Sequence, residues 1–223
     1  MNCIISGASS GIGKEISKYL LSKGHKVLAI SRREELLKQF EGKEGYSYVA
    51  LDLSTSSSIL DQSLKAFGKV DIIINNAGAL INRSFTDTTA TDFIDQYQSN
   101  VITAVNLIQA ADPYLKEGSH IVNISSMGGF QGSSKYPGLA AYSTAKGALS
   151  TLTECLAEEY EERKVSVNAL ALGAVQTDML AAAFPGFDAG CTAEDMGKYV
   201  ADFALDSGSL MSGQVIPVTK GNP

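Results

Sequence analysis

Short apolar runs alternate along the chain with longer stretches in which apolar residues recur every three or four positions. The runs Asn2–Ser6, Lys26–Ser31, Ser47–Leu51, Val70–Asn75, His120–Ser125, Val165–Ala171 and Gln214–Pro217 read as strands. They are continuous apolar runs, not alternating ones, the pattern of strands covered on both faces. Between them, Gly13–Lys23, Arg33–Phe40, Ser57–Phe67, Ala90–Asp112, Ala141–Glu162 and Ala193–Leu205 carry helical spacing. Strand–helix alternation of this kind predicts an α/β fold, a doubly wound parallel sheet with helices on both faces. No repeat, low-complexity tract or Pro/Gly/Ser-rich linker divides the chain, so one domain is expected over residues 1–223. Sheets of this type bind ligands beyond the carboxyl ends of their strands. The residues that follow each strand are therefore where chemistry is to be sought.

Composition narrows the picture. Hydrophobic residues make up 44% of the 223 residues, enough for a substantial core. The net charge of −6 argues against a nucleic-acid surface, which needs a basic face. No apolar run is long enough to span a bilayer. Met1–Gly7 runs straight into a strand and lacks the charged, apolar leader of a secretory signal. Cys3, Cys155 and Cys191 are scattered and odd in number, which disfavours a disulfide framework; Cys3 and Cys155 read as small buried hydrophobes. A cytoplasmic protein with reduced thiols is expected. His25 and His120 stand at strand entrances without a ligand cluster and read as structural, so no metal is expected.

The first strand ends in Ser6-Gly7-Ala8-Ser9-Ser10-Gly11-Ile12-Gly13. Glycines there permit positive φ and close approach of backbone to phosphate. The helix they open offers free N–H groups to a pyrophosphate. A tight turn whose glycines serve only packing is the alternative; the position after the first strand of an α/β chain favours nucleotide binding. After the second strand comes Ser31-Arg32-Arg33-Glu34, where an acidic residue would take a ribose 2′-hydroxyl. Guanidinium groups suit a 2′-phosphate instead. NADP is accordingly expected in preference to NAD, against the alternative that Arg32 and Arg33 begin an ordinary solvated helix. Asp52 and Leu53, after the third strand, fall near the adenine edge or form a helix N-cap with Ser54. Asn75-Asn76-Ala77-Gly78 closes the fourth strand with small residues that let backbone pass close to a cofactor.

Tyr142 and Lys146 are four residues apart, on one face of a predicted helix. An ammonium about 4 Å from a phenol favours the phenolate by roughly 4 kcal/mol at an effective dielectric near 20. That would bring the hydroxyl toward neutrality and make it a competent proton donor. Taken alone, the pair is a common accident of amphipathic helices.

Together these residues resemble the short-chain dehydrogenase/reductase family. The resemblance covers nearly the whole chain. It rests on Gly7-x-x-x-Gly11-Ile12-Gly13, Asn75-Asn76-Ala77-Gly78, Asn100, Ile124-Ser125-Ser126, Tyr142-x-x-x-Lys146 and Asn168-x-x-x-x-Gly173-x-x-x-Thr177, in order and roughly to spacing. It implies a Rossmann-like sheet of about seven parallel strands, a nicotinamide cofactor, interconversion of a carbonyl and an alcohol, and a homodimer or homotetramer. Residue by residue, it implies Tyr142 as proton donor and Lys146 as the cation that lowers its pKa and holds the nicotinamide ribose. It implies Ser126 as hydrogen-bond partner of the substrate oxygen and Asn100 as the holder of a relay water. Gly7, Ser9, Ser10, Gly11, Ile12, Gly13, Arg32, Arg33, Asp52, Leu53, Asn76, Ala77, Gly78, Gly173, Val175 and Thr177 would surround the cofactor. Ser10 stands where some NADP-preferring members carry a basic residue, which leaves the NADP preference resting on Arg32, with Arg33 as a second candidate, and Leu172 replaces a common proline. The interval from Ser126 to Tyr142 exceeds the family norm, with the added residues within Gly128–Ala140. Ser125 competes for the role of Ser126 if the register shifts. Phe130, Tyr136, Leu139, Met179, Phe184 and Phe187 are candidate substrate contacts for an apolar ketone or aldehyde. A nucleotide-binding regulator without turnover and an epimerase using a transiently reduced cofactor are the alternative functions.

Overall fold

The computed structural model describes residues 1–55 and 58–220. Seven strands form one parallel sheet: β1 (Asn2–Ser6), β2 (Lys26–Ser31), β3 (Tyr46–Ala50), β4 (Val70–Asn75), β5 (Leu115–Ser126), β6 (Ser166–Leu172) and β7 (Val215–Val218). Their order is β3-β2-β1-β4-β5-β6-β7. The order reverses between β1 and β4, where a crevice opens at the carboxyl edge. Between the strands lie α1 (Gly11–Ser22), α2 (Glu34–Leu37), α3 (Ser58–Phe67), α4 (Ala90–Tyr97), α5 (Thr103–Ala111), α6 (Ala140–Glu159), α7 (Asp178–Ala183) and α8 (Ala193–Asp206).

Strand residues point alternately to the two faces, and each face has its own core. Cys3, Ile5, Val27, Ala29, Ile72, Ile74 and Val122 meet α1 and α8 through Ile16, Leu20, Met196 and Val200. Ile4, Leu28, Ile73, Ile121 and Val167 meet α3, α5 and α6 through Leu60, Leu64, Leu107, Ile108 and Ala157. Both faces are covered, as the unbroken apolar runs predict. Among the described residues no helix is long and apolar enough to cross a membrane.

The departures from expectation are local. β3 starts and ends one residue early, and β5 begins at Leu115, five residues before the predicted run. The predicted start of the third helix, Ser57, lies outside the described residues. The segment predicted as one helix over Ala90–Asp112 divides into α4, a π-turn over Gln98–Ile102, and α5. Its cause is the Asn100 side chain, whose Nδ2 donates to the Gln96 carbonyl at 2.9 Å. That carbonyl is the acceptor an α-helix reserves for the backbone N–H of residue 100. A competing side-chain donor there relaxes the ladder to i→i+5 spacing. Cys155 is exposed on α6, so the expectation of a buried thiol is corrected; Cys3 is buried, and burial pushes its thiol up to about 12.

His120 lies inside β5 and ties the sheet to α8. Its Nδ1 meets the Ala204 carbonyl at 3.0 Å and its Nε2 meets Asn168 Nδ2 at 3.0 Å. Asn168 Oδ1 accepts from the Gln214 backbone, which fixes the amide so that its NH2 faces the imidazole. Because the carbonyl can only accept, the imidazole is neutral with its proton on Nδ1. Asn168 therefore braces the segment before β7 instead of reaching a ligand. Burial holds the His120 pKa below its usual value, with the Ala204 bond opposing. The unfolded chain then binds a proton that the folded chain resists, and stability falls as pH drops from 6.5 through the lowered folded value. Urea melts at pH 7.5 and 5.5 are expected to show a loss for the wild type that is smaller in His120→Gln.

Candidate active site

A cleft of about 1430 Å³ runs along the carboxyl edge of the sheet, beyond the ends of β1, β2, β4, β5 and β6. At one end, the turn from β1 to α1 holds Gly7 at φ +67 and Gly11 at φ +53. A Cβ on Gly7 would lie 2.9 Å from Ala77 Cα. Only glycine fits there, because the conformation and the close approach exclude a side chain together. Ser10 caps α1 in extended geometry without a side-chain capping bond, so the first-turn amides stay available to an anion. The turn is held from behind by β4. Asn76 Nδ2 donates to the Ser6 and Gly7 carbonyls, and the Asn76 and Ala77 amides both donate to Ser6 Oγ at 3.0 Å. The Ser6 hydroxyl thus organises both strand ends, a role that the sequence pattern does not signal.

Of the expected cofactor residues, all but one line the cleft. The exception is Gly13, which is buried against the turn: a Cβ there would come within 2.5 Å of the Gly7 carbonyl oxygen and closer still to Asn76 Nδ2. Its need for glycine is explained by packing alone. The two arginines also separate. Arg33 reaches back over the turn, donating to Ser9 Oγ at 3.1 Å and to Ser10 Oγ, while Ser31 Oγ donates to Ser9 Oγ at 2.8 Å. Arg32 lies 3.8 Å from Asp52, with both side chains exposed. Asp52 accepts from the Ser54 amide, and that bond leads in holding its carboxyl below the usual range. Leu53 is buried, and its carbonyl accepts from Asn106 on α5 at 2.8 Å.

At the other end stand Ser126, Tyr142, Lys146 and Asn100. Tyr142 and Lys146 share one face of α6 beneath the end of β5. Lys146 Nζ is 5.9 Å from the centroid of the Tyr142 ring and donates to the Ile124 carbonyl at 2.8 Å. The lysine is buried, and burial lowers its pKa to about 8. Ser125 Oγ donates back to the Lys146 carbonyl at 3.0 Å and meets Ser150. Ser125 therefore faces the helix, and Ser126 is the serine turned to the cleft. The Tyr142 phenol is pushed up from its usual value by burial, while its hydrogen bond with Ser126 pulls the other way. This corrects the expectation of a phenol acidified by the ammonium. The charge of Lys146 is directed at Ile124, and burial of the phenol dominates.

Asn100 projects from the π-turn. Its Nδ2 also donates to the Ala79 carbonyl at 2.9 Å, and its buried Oδ1 has no partner among the described residues. A Cβ on Gly78 would lie 2.5 Å from that Oδ1 and 3.4 Å from Lys146 Nζ. The two atoms are thus within about 6 Å of each other, a span that one water can bridge. Gly129 packs against α6 so closely that a Cβ would lie 2.5 Å from the Gly147 amide nitrogen. That contact is a second feature missed in the sequence; the paired glycines at 128 and 129, opposite Gly147, are its only trace. Tyr136, Leu139, Met179, Phe184 and Phe187 line the remaining wall, and Phe130 does not. The last three belong to α7 and the turn after it. This helix was not anticipated, because six residues are too few for a periodic pattern; its signal is the N-cap Thr177, whose Oγ1 accepts from the Leu180 amide. Among the described residues no three His, Cys, Asp or Glu side chains come together as a metal would require.

A doubly wound sheet with a glycine turn at one end of its crevice and a Tyr–Lys–Ser–Asn set at the other defines a dinucleotide-type oxidoreductase architecture. The chain belongs to the short chain dehydrogenase family, whose profile matches residues 2–186. Oxidoreductase BOA17 of Botryotinia fuckeliana is 34% identical over an alignment of 184 residues that covers 78% of this chain. The match spans 65% of that relative, just under two thirds of its length. A 3-ketoacyl-(acyl-carrier-protein) reductase from Brucella melitensis, crystallised with NADH, superposes with a TM-score of 0.87 at 26% identity, over 99% of this chain and 97% of its own. A short chain dehydrogenase from Burkholderia cenocepacia, in complex with NADP, does so with a TM-score of 0.85 at 25% identity, over 98% and 96%.

The buried ammonium makes a stability prediction. A pKa lowered from 10.5 to about 8 penalises the charged lysine by roughly 3 kcal/mol at pH 7, at about 1.4 kcal/mol per unit. Lys146→Met removes that penalty and orphans the Ile124 carbonyl, which costs about 1–2 kcal/mol. Calorimetry at pH 7 should show Tm raised by about 2–6 °C. The advantage should fade as pH rises from 8 to 10.5, where the wild type sheds its proton on folding.

Proposed function

We propose that the chain is an NADP-dependent oxidoreductase that interconverts an apolar ketone or aldehyde and the corresponding alcohol. The observation that carries this reading is the convergence of Tyr142, Ser126, Lys146 and Asn100 on one end of a cleft whose other end is a glycine turn under an arginine. The cradle suits a dinucleotide. Gly7 and Gly11 bring backbone to the surface, the first amides of α1 face an anion, and the volume exceeds the roughly 300–1,000 Å³ of ordinary small-ligand pockets. A bound nicotinamide would supply or accept the hydride.

The protein's share is orientation and proton handling. Tyr142 holds the proton destined for the carbonyl oxygen, and Ser126, already bonded to the phenol, positions that oxygen beside it. A phenolate left after proton transfer faces the Lys146 ammonium, which shifts from the Ile124 carbonyl toward the new charge. Asn100 Oδ1, unpartnered and close to Nζ, suits a water that returns the proton through Lys146. The Lys146 pKa near 8 suits a residue that passes protons at neutral pH.

NADP preference is supported by Arg33 more than by Arg32. The Arg33 guanidinium and the Ser9, Ser10 and Ser31 hydroxyls form one cluster of donors at the end of β2, the position of a ribose 2′-substituent. Arg33 thereby provides the cation that Ser10 itself lacks. The apolar wall of Leu139, Met179, Phe184 and Phe187 supports an apolar substrate. A homodimer or homotetramer is supported by Val105 of α5 and Ala148 and Leu152 of α6, which remain partly exposed at the edge of a small core. A cytoplasmic setting fits the free cysteines.

A spectrophotometric screen of NADPH oxidation against a panel of ketones and aldehydes tests the activity. Tyr142→Phe should lower kcat by at least about 100-fold, the usual weight of a general acid, while NADPH binding survives. Full activity in that variant would overturn the reading. Arg33→Ala should weaken NADPH binding by about 10- to 100-fold, as loss of charge-assisted hydrogen bonds implies, and leave NADH nearly unaffected. Arg32→Ala should have the smaller effect.

A further inference from the structure

Three pieces of chain surround the apolar end of the cleft, and a single side chain joins them. Asn82 lies in the segment that follows β4. Its Nδ2 donates to the Ala183 carbonyl at 2.8 Å, across the mouth. Ala183 ends α7, so its carbonyl is one of those that a helix leaves without an internal partner. On its other side Asn82 meets the loop between β5 and α6. Gly138 stands at φ +84, and a Cβ there would overlap Asn82 Oδ1. The Arg83 amide donates to the Gly138 carbonyl at 3.0 Å, and the Arg83 guanidinium pairs with Asp92, the capping-box residue of α4, at 2.7 Å.

The element held by Asn82 has little else to fix it. No residue of α7 is buried. Its base is secured by the Thr177 cap and by the bridge between Gln176 and Thr192. Its Met179 and, in the turn after it, the contacting pair Phe184 and Phe187 line the cleft, and Met179 and Phe187 remain about half exposed. A segment tied at its base and with no buried residue is set by its tip contact.

We propose that Asn82 is a positioning residue that latches α7 shut over the substrate end of the cleft, so that it governs the binding of bulky apolar carbonyl compounds without taking part in the chemistry. The assignment of those compounds rests on the function proposed above; the latch itself does not. With Asn82 in place, Phe184 and Phe187 are held at the cleft that Tyr136 and Leu139 also line, and an apolar substrate meets apolar side chains from both segments. Without it, the apolar side chains of α7 contribute to binding only after the segment has been ordered by the substrate itself.

Two variants test this in the full chain. Asn82→Ala deletes the donor. Asn82→Asp keeps the shape beneath Gly138 and turns an acceptor toward the Ala183 carbonyl. Hydrogen exchange read by mass spectrometry should be about fivefold faster over residues 178–187 in both, the effect of losing one hydrogen bond. Exchange in β4 and α6, the Tm and the Kd for NADPH should hold. With an aryl ketone or other bulky substrate from the panel, KM should rise about fivefold with kcat undiminished, while a two- or three-carbon carbonyl compound should show no change in KM. Unchanged exchange over residues 178–187 would overturn the latch, as would acceleration spread evenly along the chain. If the wild type reduces no carbonyl compound, the proposed function fails and exchange alone still decides the latch.

Discussion

The arrangement of the site depends on one tie between a helix and a strand. Lys146 reaches from α6 to the Ile124 carbonyl, and the Ser125 hydroxyl returns to the Lys146 carbonyl. Two reciprocal bonds around a single lysine fix the height of α6 against β5. From that register the rest follows by geometry. Ser126 is one residue past Ser125 and points the opposite way, as strand neighbours must. Tyr142 is one turn before Lys146 and therefore above it on the same face. The phenol and the serine meet because the lysine sits where it does. This placement keeps a charged group buried, and the chain carries that penalty in the place where a proton carrier is useful.

The exit of β4 extends the same logic along the whole cleft. Asn75 Nδ2 bonds Asn123 on β5, and Asn123 Nδ2 bonds Thr153 on α6, so a buried polar chain runs from the centre of the sheet to the helix that bears Tyr142. The next residue, Asn76, holds the glycine turn, and Gly78 lies against both Asn100 and Lys146. Four consecutive residues thus touch the nucleotide-like end, the sheet and the chemical end. A shift in any one of them would be felt at both ends, because packed interiors transmit small displacements.

Much of this was legible from residue order. The buried strands read directly as apolar runs, since a parallel sheet covered on both faces has no polar side to obscure them. Tyr142 and Lys146 could be paired because helix periodicity alone places them together. The features that escaped depend on contacts between distant segments. That Gly13 must be glycine for packing shows only once Asn76 is seen to approach it. The π-turn arises from one side-chain bond to Gln96 that helix propensity does not encode. Cys155 was judged by residue type, and Phe130 by its place in a loop; neither judgement knew which face of its element met the core. Sequence order puts the 2′-phosphate expectation on Arg32 ahead of Arg33, whereas the fold sends Arg33 to the serines and Arg32 to Asp52.

The cleft also divides by rigidity. Every chemical group sits on a strand end or on a helix pressed into the core: Ser126 on β5, Lys146 and Tyr142 on α6, Asn100 in a turn whose neighbour Val101 is buried. The proton transfer proposed for them would need fixed separations, and these elements cannot shift without opening the sheet. The opposite wall is built from α7 and the loop ending at Gly138, which bury few side chains and are each tied to the segment after β4, α7 by the Asn82 side chain and the loop by the Arg83 amide. A wall of that kind can yield to substrates of different shape while the reacting groups stay in place. Under the function proposed above, substitutions in α7 and in the Gly128–Leu139 loop would change which compound binds, whereas substitutions near Lys146 would act on whether any compound reacts.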